Sequence, residues 1–184
     1  MSERRLTLMI TIMVITTILT VLLVAAAVYT DVRWGKIFNR LTMPAIVLGL
    51  IINSLTGGLD GFVHSVAGIG LGLGLFLVSC LLGRILGGGD IKLLMAVGAL
   101  QGPAFLGLTI CYTAIIGGVL AVIIAIRHGI LLEKIKTLFA SCYMRLTFRV
   151  PMEIEDNEAT QPRLPYAIAI SLGTVATIAG LHIL

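Results

Sequence analysis

Charged positions along this chain are spaced so that five long stretches carry none: Leu6 to Thr30, Leu41 to Leu59, Gly61 to Gly83, Leu93 to Ile126 and Leu164 to Leu184 contain no Asp, Glu, Lys or Arg. A helix needs about 20 apolar residues to cross a ~30 Å hydrocarbon layer, so each stretch is long enough to span. The fourth is too long for one helix and is interrupted by Gln101-Gly102-Pro103, where Gly and Pro favour a turn and Pro readily opens the next helix. Split there, the pattern predicts an all-α membrane protein of six transmembrane helices, the fourth running only from Asp90 to Leu100. At 1.5 Å per residue that helix reaches about 16 Å and cannot cross alone. Its amino end, with Gly87-Gly88-Gly89 before it, is therefore expected below the membrane surface, where irregular backbone needs protein or a watery cavity around it.

Composition agrees. Of 184 residues, 58% are hydrophobic and 12% charged, about half the charge of an ordinary soluble domain. The length suits a single polytopic domain over residues 1–184 and leaves no room for a second, soluble one. A net charge of +4 would suggest a polyanion partner in a soluble protein, but here the basic residues fall in short loops, so nucleic-acid binding is a poor reading. Counted by alternate loops, eleven of the thirteen Lys and Arg lie after helices one, three and five. They mark the cytoplasmic face and put both termini outside, with Arg4 and Arg5 as a minority against. The opening Met1 to Arg5, the apolar run and Ala25-Ala26-Ala27 imitate a secretory signal, but the run exceeds the usual ~7 to 15 residue core.

The fifth loop, 127–163, is the one sizeable polar segment, expected on the cytoplasmic side. Leu131, Ile135, Leu138, Phe139, Cys142 and Leu146 recur at helical spacing and predict an amphipathic helix on the membrane surface. Glu153, Glu155, Asp156 and Glu158 follow, either as a solvated connector or as a docking surface for a basic peptide. Cys80, Cys111 and Cys142 are too far apart for a metal-ligand cluster and read as packing residues.

Only Asp31, Asp60 and Asp90 border the expected helices. Asp60 sits in the Gly57-Gly58-Leu59-Asp60-Gly61 turn, where Asp and Gly are favoured for backbone reasons. Asp31 closes the first helix and Asp90 opens the fourth from the same side, so they can meet. Carboxylates at membrane depth are costly and mark interior functional sites; the plainer alternative makes Asp90 an N-cap and pairs Asp31 with Arg33 or Arg84. Two close carboxylates share one proton, which suits peptide hydrolysis: one takes a proton from water while the other donates to the scissile carbonyl. His64, His128 and His182 neighbour no Ser or Cys in a nucleophile arrangement, and there is no HExxH.

Gly87-Gly88-Gly89-Asp90-Ile91-Lys92 resembles the GxGD signature of membrane aspartic proteases, in the form seen in type IV prepilin peptidases. Asp31 with Arg33, Lys36 and Ile37-Phe38-Asn39 is similar to that family's first acidic motif, with Phe38 where proline would be expected. Leu164-Pro165-Tyr166-Ala167 is similar to a Pro-Tyr-Gly element of the short peptidases of tight-adherence (Flp) pilus systems, with Ala167 for Gly. The resemblance implies an aspartic endopeptidase that removes the short basic leader of prepilin or pseudopilin precursors at the cytoplasmic face of the inner membrane. It makes Asp31 and Asp90 catalytic and places Gly87, Gly89, Lys92 and Asn39 around the substrate. The larger members' insert with paired CxxC motifs, which goes with N-methylation, is missing here, so cleavage without methylation is expected. That reading requires no metal or other cofactor. Two alternatives stay open: a small six-helix proton or cation transporter, and a pilus-assembly scaffold.

Overall fold

A computed structural model describes residues 3–81, 87–127 and 166–181. Five helices run through them: α1 Glu3–Trp34, α2 Asn39–Leu81, α3 Gly88–Gln101, α4 Pro103–Arg127 and α5 Tyr166–Leu181. No strand occurs among these residues. Three helices are long and apolar enough to cross a membrane, over Ile10–Trp34, Asn39–Leu81 and Pro103–Ile124, and Tyr166–Gly180 is a shorter apolar helix. Met1–Ile116 with Pro165–Leu184 form one compact unit. A second is Gly117–Leu164, described only as the last turns of α4. The expected amphipathic helix over 131–146, the acidic segment 153–158, Arg84, His128, Cys142, His182 and Pro165 lie outside the described residues.

The second and third helices expected from the sequence are the two arms of α2. At Gly58 the backbone leaves helical geometry, with φ 59° and ψ −134°, a conformation open to glycine because it carries no Cβ. Beyond it the chain folds back on itself, since the Ser65 hydroxyl reaches the Gly49 carbonyl at 3.3 Å. Sixteen residues of straight helix would separate those positions by about 24 Å. The residues that α2 buries are small: Thr42, Ala45 and Gly49 on the first arm, and Ser65, Gly68, Gly72 and Ser79 on the second. Such stripes let backbones approach closely in lipid, where helix association rests on packing rather than on water exclusion.

The helix they receive is α3. Ile91, Leu93, Leu94 and every residue from Ala96 to Leu100 are buried, so α3 is apolar all round and occupies the core. A Cβ on Gly49 would stand 2.6 Å from the Ala99 carbonyl carbon, and one on Gly68 would run into the Gly98 backbone. Contacts from α1, α2 and α5 all reach α3. On α1 the buried positions are Thr16, Thr20, Leu23, Val24 and Ala27, a stripe at helical spacing whose next turn carries Asp31. The opposite face is a run of exposed apolar side chains, from Ile10 through Leu22 to Val32, as a lipid-facing surface requires.

Two helix ends differ from expectation. α1 continues four residues past Thr30 and closes through the Gly35 amide, which donates to the Asp31 carbonyl at 2.7 Å, a single 5→1 closure. α3 begins at Gly88 with Gly87 as its N-cap, so Asp90 is not the N-cap but the third helical residue. The predicted turn at Gln101-Gly102-Pro103 is present: Gly102, at φ 84°, ends α3, and Pro103 opens α4.

Candidate functional site

Asp31 reaches the site because α1 carries its buried stripe one turn beyond Ala27. Asp90 reaches it because α3 starts at the same end of the unit. The two carboxylates lie close enough for the charge of Asp31 to act on Asp90. α3, with 14 residues, is too short to cross a membrane, and Asp90 sits in its first turn. Burial in the first place, and then the charge of Asp31, raise the Asp90 pKa to about 6, against the lowering effect of a hydrogen bond from the Gly87 amide. That hydrogen bond is half of a capping box, in which a carboxylate at the third helical position reaches back to the N-cap amide. Helix capping and a dipole favouring negative charge pull one way; desolvation and a like charge pull the other, and the second pair wins.

The three glycines are not equivalent. A Cβ on Gly87 would meet Asp90 Oδ2 at 2.9 Å, one on Gly89 would meet Ile37 Cβ at 3.2 Å, and one on Gly88 would meet nothing within 4 Å. Gly87 thus leaves room for the carboxylate itself. Gly89 lets the first turn of α3 pack on the loop between α1 and α2. Lys92 engages neither Asp31 nor Asp90; its ammonium donates to Asn39 Oδ1 at 2.9 Å and ties the first turn of α2 to α3 beside the acids. Of the residues singled out in the sequence, Asp31 and Asp90 come together, Lys92 and Asn39 form a second pair, and Asp60 lies in α2 next to its reversal at Gly58, at the other end of the arm that begins with Asn39.

Phe38, where the sequence departs from the pattern it resembles, is half exposed and stands edge-on to Trp34 at 5.8 Å, which in turn stands edge-on to Tyr29 at 5.7 Å. The Tyr166 phenol, at the first residue of α5, lies within reach of the Asp90 charge. Tyr166 was visible in the sequence only as part of a short motif, and its place beside an acid more than seventy positions away is a tertiary fact.

A different group of residues, none with a chemical signature in sequence, holds the far end of α3. The Ser65 hydroxyl donates to the Ala99 carbonyl at 2.8 Å. The Asn53 amide lies 2.9 Å from Ser65 Oγ, 3.0 Å from the Ala99 carbonyl and 3.3 Å from that of Leu100. His64 Nε2 lies 3.4 Å from the Gln101 carbonyl, the Gly102 amide donates to the Gly98 carbonyl at 2.8 Å, and the Gln101 side chain donates to Thr20 on α1 at 3.1 Å. A helix leaves its last four carbonyls without intrahelical partners. Here each has a donor within reach.

No curated protein and no solved structure matches the chain. A model of the type IV leader peptidase family matches residues 7–122, a segment that contains both acids, both glycines beside them, Lys92 and Asn39. The chain belongs to the type IV leader peptidase family.

Proposed function

We propose that this protein is a six-helix membrane aspartic endopeptidase, its fourth helix too short to cross alone, that cleaves the short basic leader from prepilin-type precursors, with Asp31 and Asp90 as its catalytic pair. The observation that carries the reading is the proximity of these two carboxylates at one end of the core, with Asp90 desolvated and under the charge of Asp31. In the mechanism, the pair holds one proton between its members: the protonated carboxyl gives it to the scissile carbonyl while the charged one takes a proton from the attacking water. The tetrahedral intermediate then collapses without a covalent adduct to the enzyme. Gly87 keeps the space beside Asp90 open, and the Lys92–Asn39 pair stands beside the acids where the leader would be held. The basic residues near the acids, Arg33, Lys36, Arg40 and Lys92, favour a cytoplasmic site with both termini outside. The sequence carries no CxxC pair, which supports cleavage without methylation, and its last-helix motif favours a tight-adherence pilin as substrate.

The test is to reconstitute the purified protein with a candidate precursor and map any new amino terminus. The parent is expected to cut after the basic leader, Asp31→Asn and Asp90→Asn to abolish cleavage while remaining folded, and Asp60→Asn to cut normally. The double variant should be scarcely worse than either single one, because groups sharing one step are strongly non-additive. Since the proton resides on Asp90 below about 6, kcat/KM should fall as pH rises through that value. Parental cleavage by both folded Asn variants would defeat the reading, and proton flux through the same variants would then be measured.

A further inference from the structure

The outer face of α1 carries a feature that proteolysis does not use. Ala25, Val28, Tyr29, Val32 and Arg33 line a shallow groove of about 490 Å³. Their spacing places them on one stripe, opposite the buried line of Thr20, Val24 and Ala27, so the groove faces away from the core. Its walls are apolar except at one end. There the Arg33 guanidinium stands 5.7 Å over the Trp34 ring and has no carboxylate partner among the described residues. Lys36 and Arg40, both exposed, follow within two turns. The Tyr29–Trp34–Phe38 edge contacts close the same end, where the candidate span stops at Trp34.

An apolar groove along a membrane helix, ending in a cation without a carboxylate partner among the described residues and set in a belt of Tyr and Trp, has the layout of a lipid: chain in the hydrocarbon, charged group at the interface. The charge selects among lipids. Arg33, with two further cations nearby and no carboxylate partner among the described residues, favours a net-negative head over a zwitterionic one. An arginine fork also matches a phosphate better than a point charge does. We propose that this groove is a selective site for one anionic glycerophospholipid, with an acyl chain along Ala25, Val28 and Val32 and the phosphate at Arg33.

Trp34 is the single tryptophan of the chain and adjoins Arg33, so it reports occupancy directly. Protein in phosphatidylcholine vesicles receives a small, equal fraction of either phosphatidylglycerol or phosphatidylcholine brominated in the acyl chains, and Trp34 quenching is followed against that fraction. Brominated phosphatidylglycerol is expected to quench with about fivefold preference, the factor one basic residue gives towards an anionic lipid. Arg33→Gln should bring its curve most of the way down to that of phosphatidylcholine, leaving only what Lys36 and Arg40 add, whereas Arg33→Lys should keep more of the preference. Val28→Phe, which fills the groove and leaves Arg33 in place, should lower quenching by both lipids. Excess soluble glycerol 3-phosphate should change nothing. Equal quenching by both lipids in the parent, or an undiminished preference in folded Arg33→Gln, would overturn the proposal. So would displacement by glycerol 3-phosphate, which points to a small-anion site, or quenching governed by the protein-to-lipid ratio, which gives the face to a second copy of the chain.

Discussion

The two ends of α3 solve opposite problems. At its carboxyl end, where a short helix stops inside an apolar surrounding, Asn53, Ser65, His64 and Gly102 bring a donor to each terminal carbonyl. At its amino end the N-cap is Gly87, which offers no side-chain hydrogen bond, and the first turn carries a carboxylate held partly desolvated beside another. One end is saturated and the other is left with a charge it would be easier to neutralise. In a single core helix, satisfaction fixes the position and incomplete satisfaction supplies the reactivity.

The contrast can be broken from its satisfied side first. Combining Asn53→Leu with Ser65→Ala adds no side-chain heavy atom but removes the donors to Ala99 and Leu100; each orphaned carbonyl should cost roughly 1 to 3 kcal/mol. A marked loss of thermal stability in detergent is expected, and an unchanged midpoint would mean that this end does not hold the helix. From the reactive side, Gly87→Ala places a Cβ at 2.9 Å from Asp90 Oδ2, so the carboxylate must move while the helix stays. A fall in kcat of up to about a hundredfold should follow from such a displacement, with KM and the melting midpoint nearly unchanged. Equal losses of stability from both changes would erase the distinction between the ends.

The smallest effect is in the pH dependence of stability. Asp90 has a folded pKa of about 6 against an ordinary 3.8, so between those values the folded protein binds more protons than the unfolded one. Stability contributed by protonated Asp90 is present below about 4 and is lost as pH rises to about 6, levelling off above. Asp90→Asn should remove that slope and be at least as stable as the parent at neutral pH, as melting midpoints in one detergent would show. A parent with a flat profile across this window would place Asp90 in a wetter setting.

Much of this arrangement was readable from residue order. Both arms of α2, the turn at Gln101-Gly102-Pro103, and the proximity of Asp31 and Asp90 followed from where charge interrupts apolar runs, since in a membrane each interruption has to fall at an end or a site. The helix ends were less legible. α1 runs past Asp31 because its buried stripe continues and Gly35 closes it, and α3 starts at Gly88 because Gly87, not Asp90, takes the cap; local contacts decide such limits.

Asn53 and Ser65 could not have been found from order alone. Each is an ordinary polar residue in an apolar run, and nothing nearby in the chain marks the carbonyls they meet, more than thirty positions away. Lys92 and Asn39 were singled out by their motifs, but their bond to each other was not, nor was the place of Tyr166 beside Asp90. The sequence by itself determined an all-helical membrane protein with two acids at one end, because hydrophobic run length and the cost of buried charge act locally and add along the chain. Which donor satisfies which carbonyl, and which cation avoids which carboxylate, depends on distances of about 3 Å between helices, set only when the small residues of α2 let α3 pack between its neighbours.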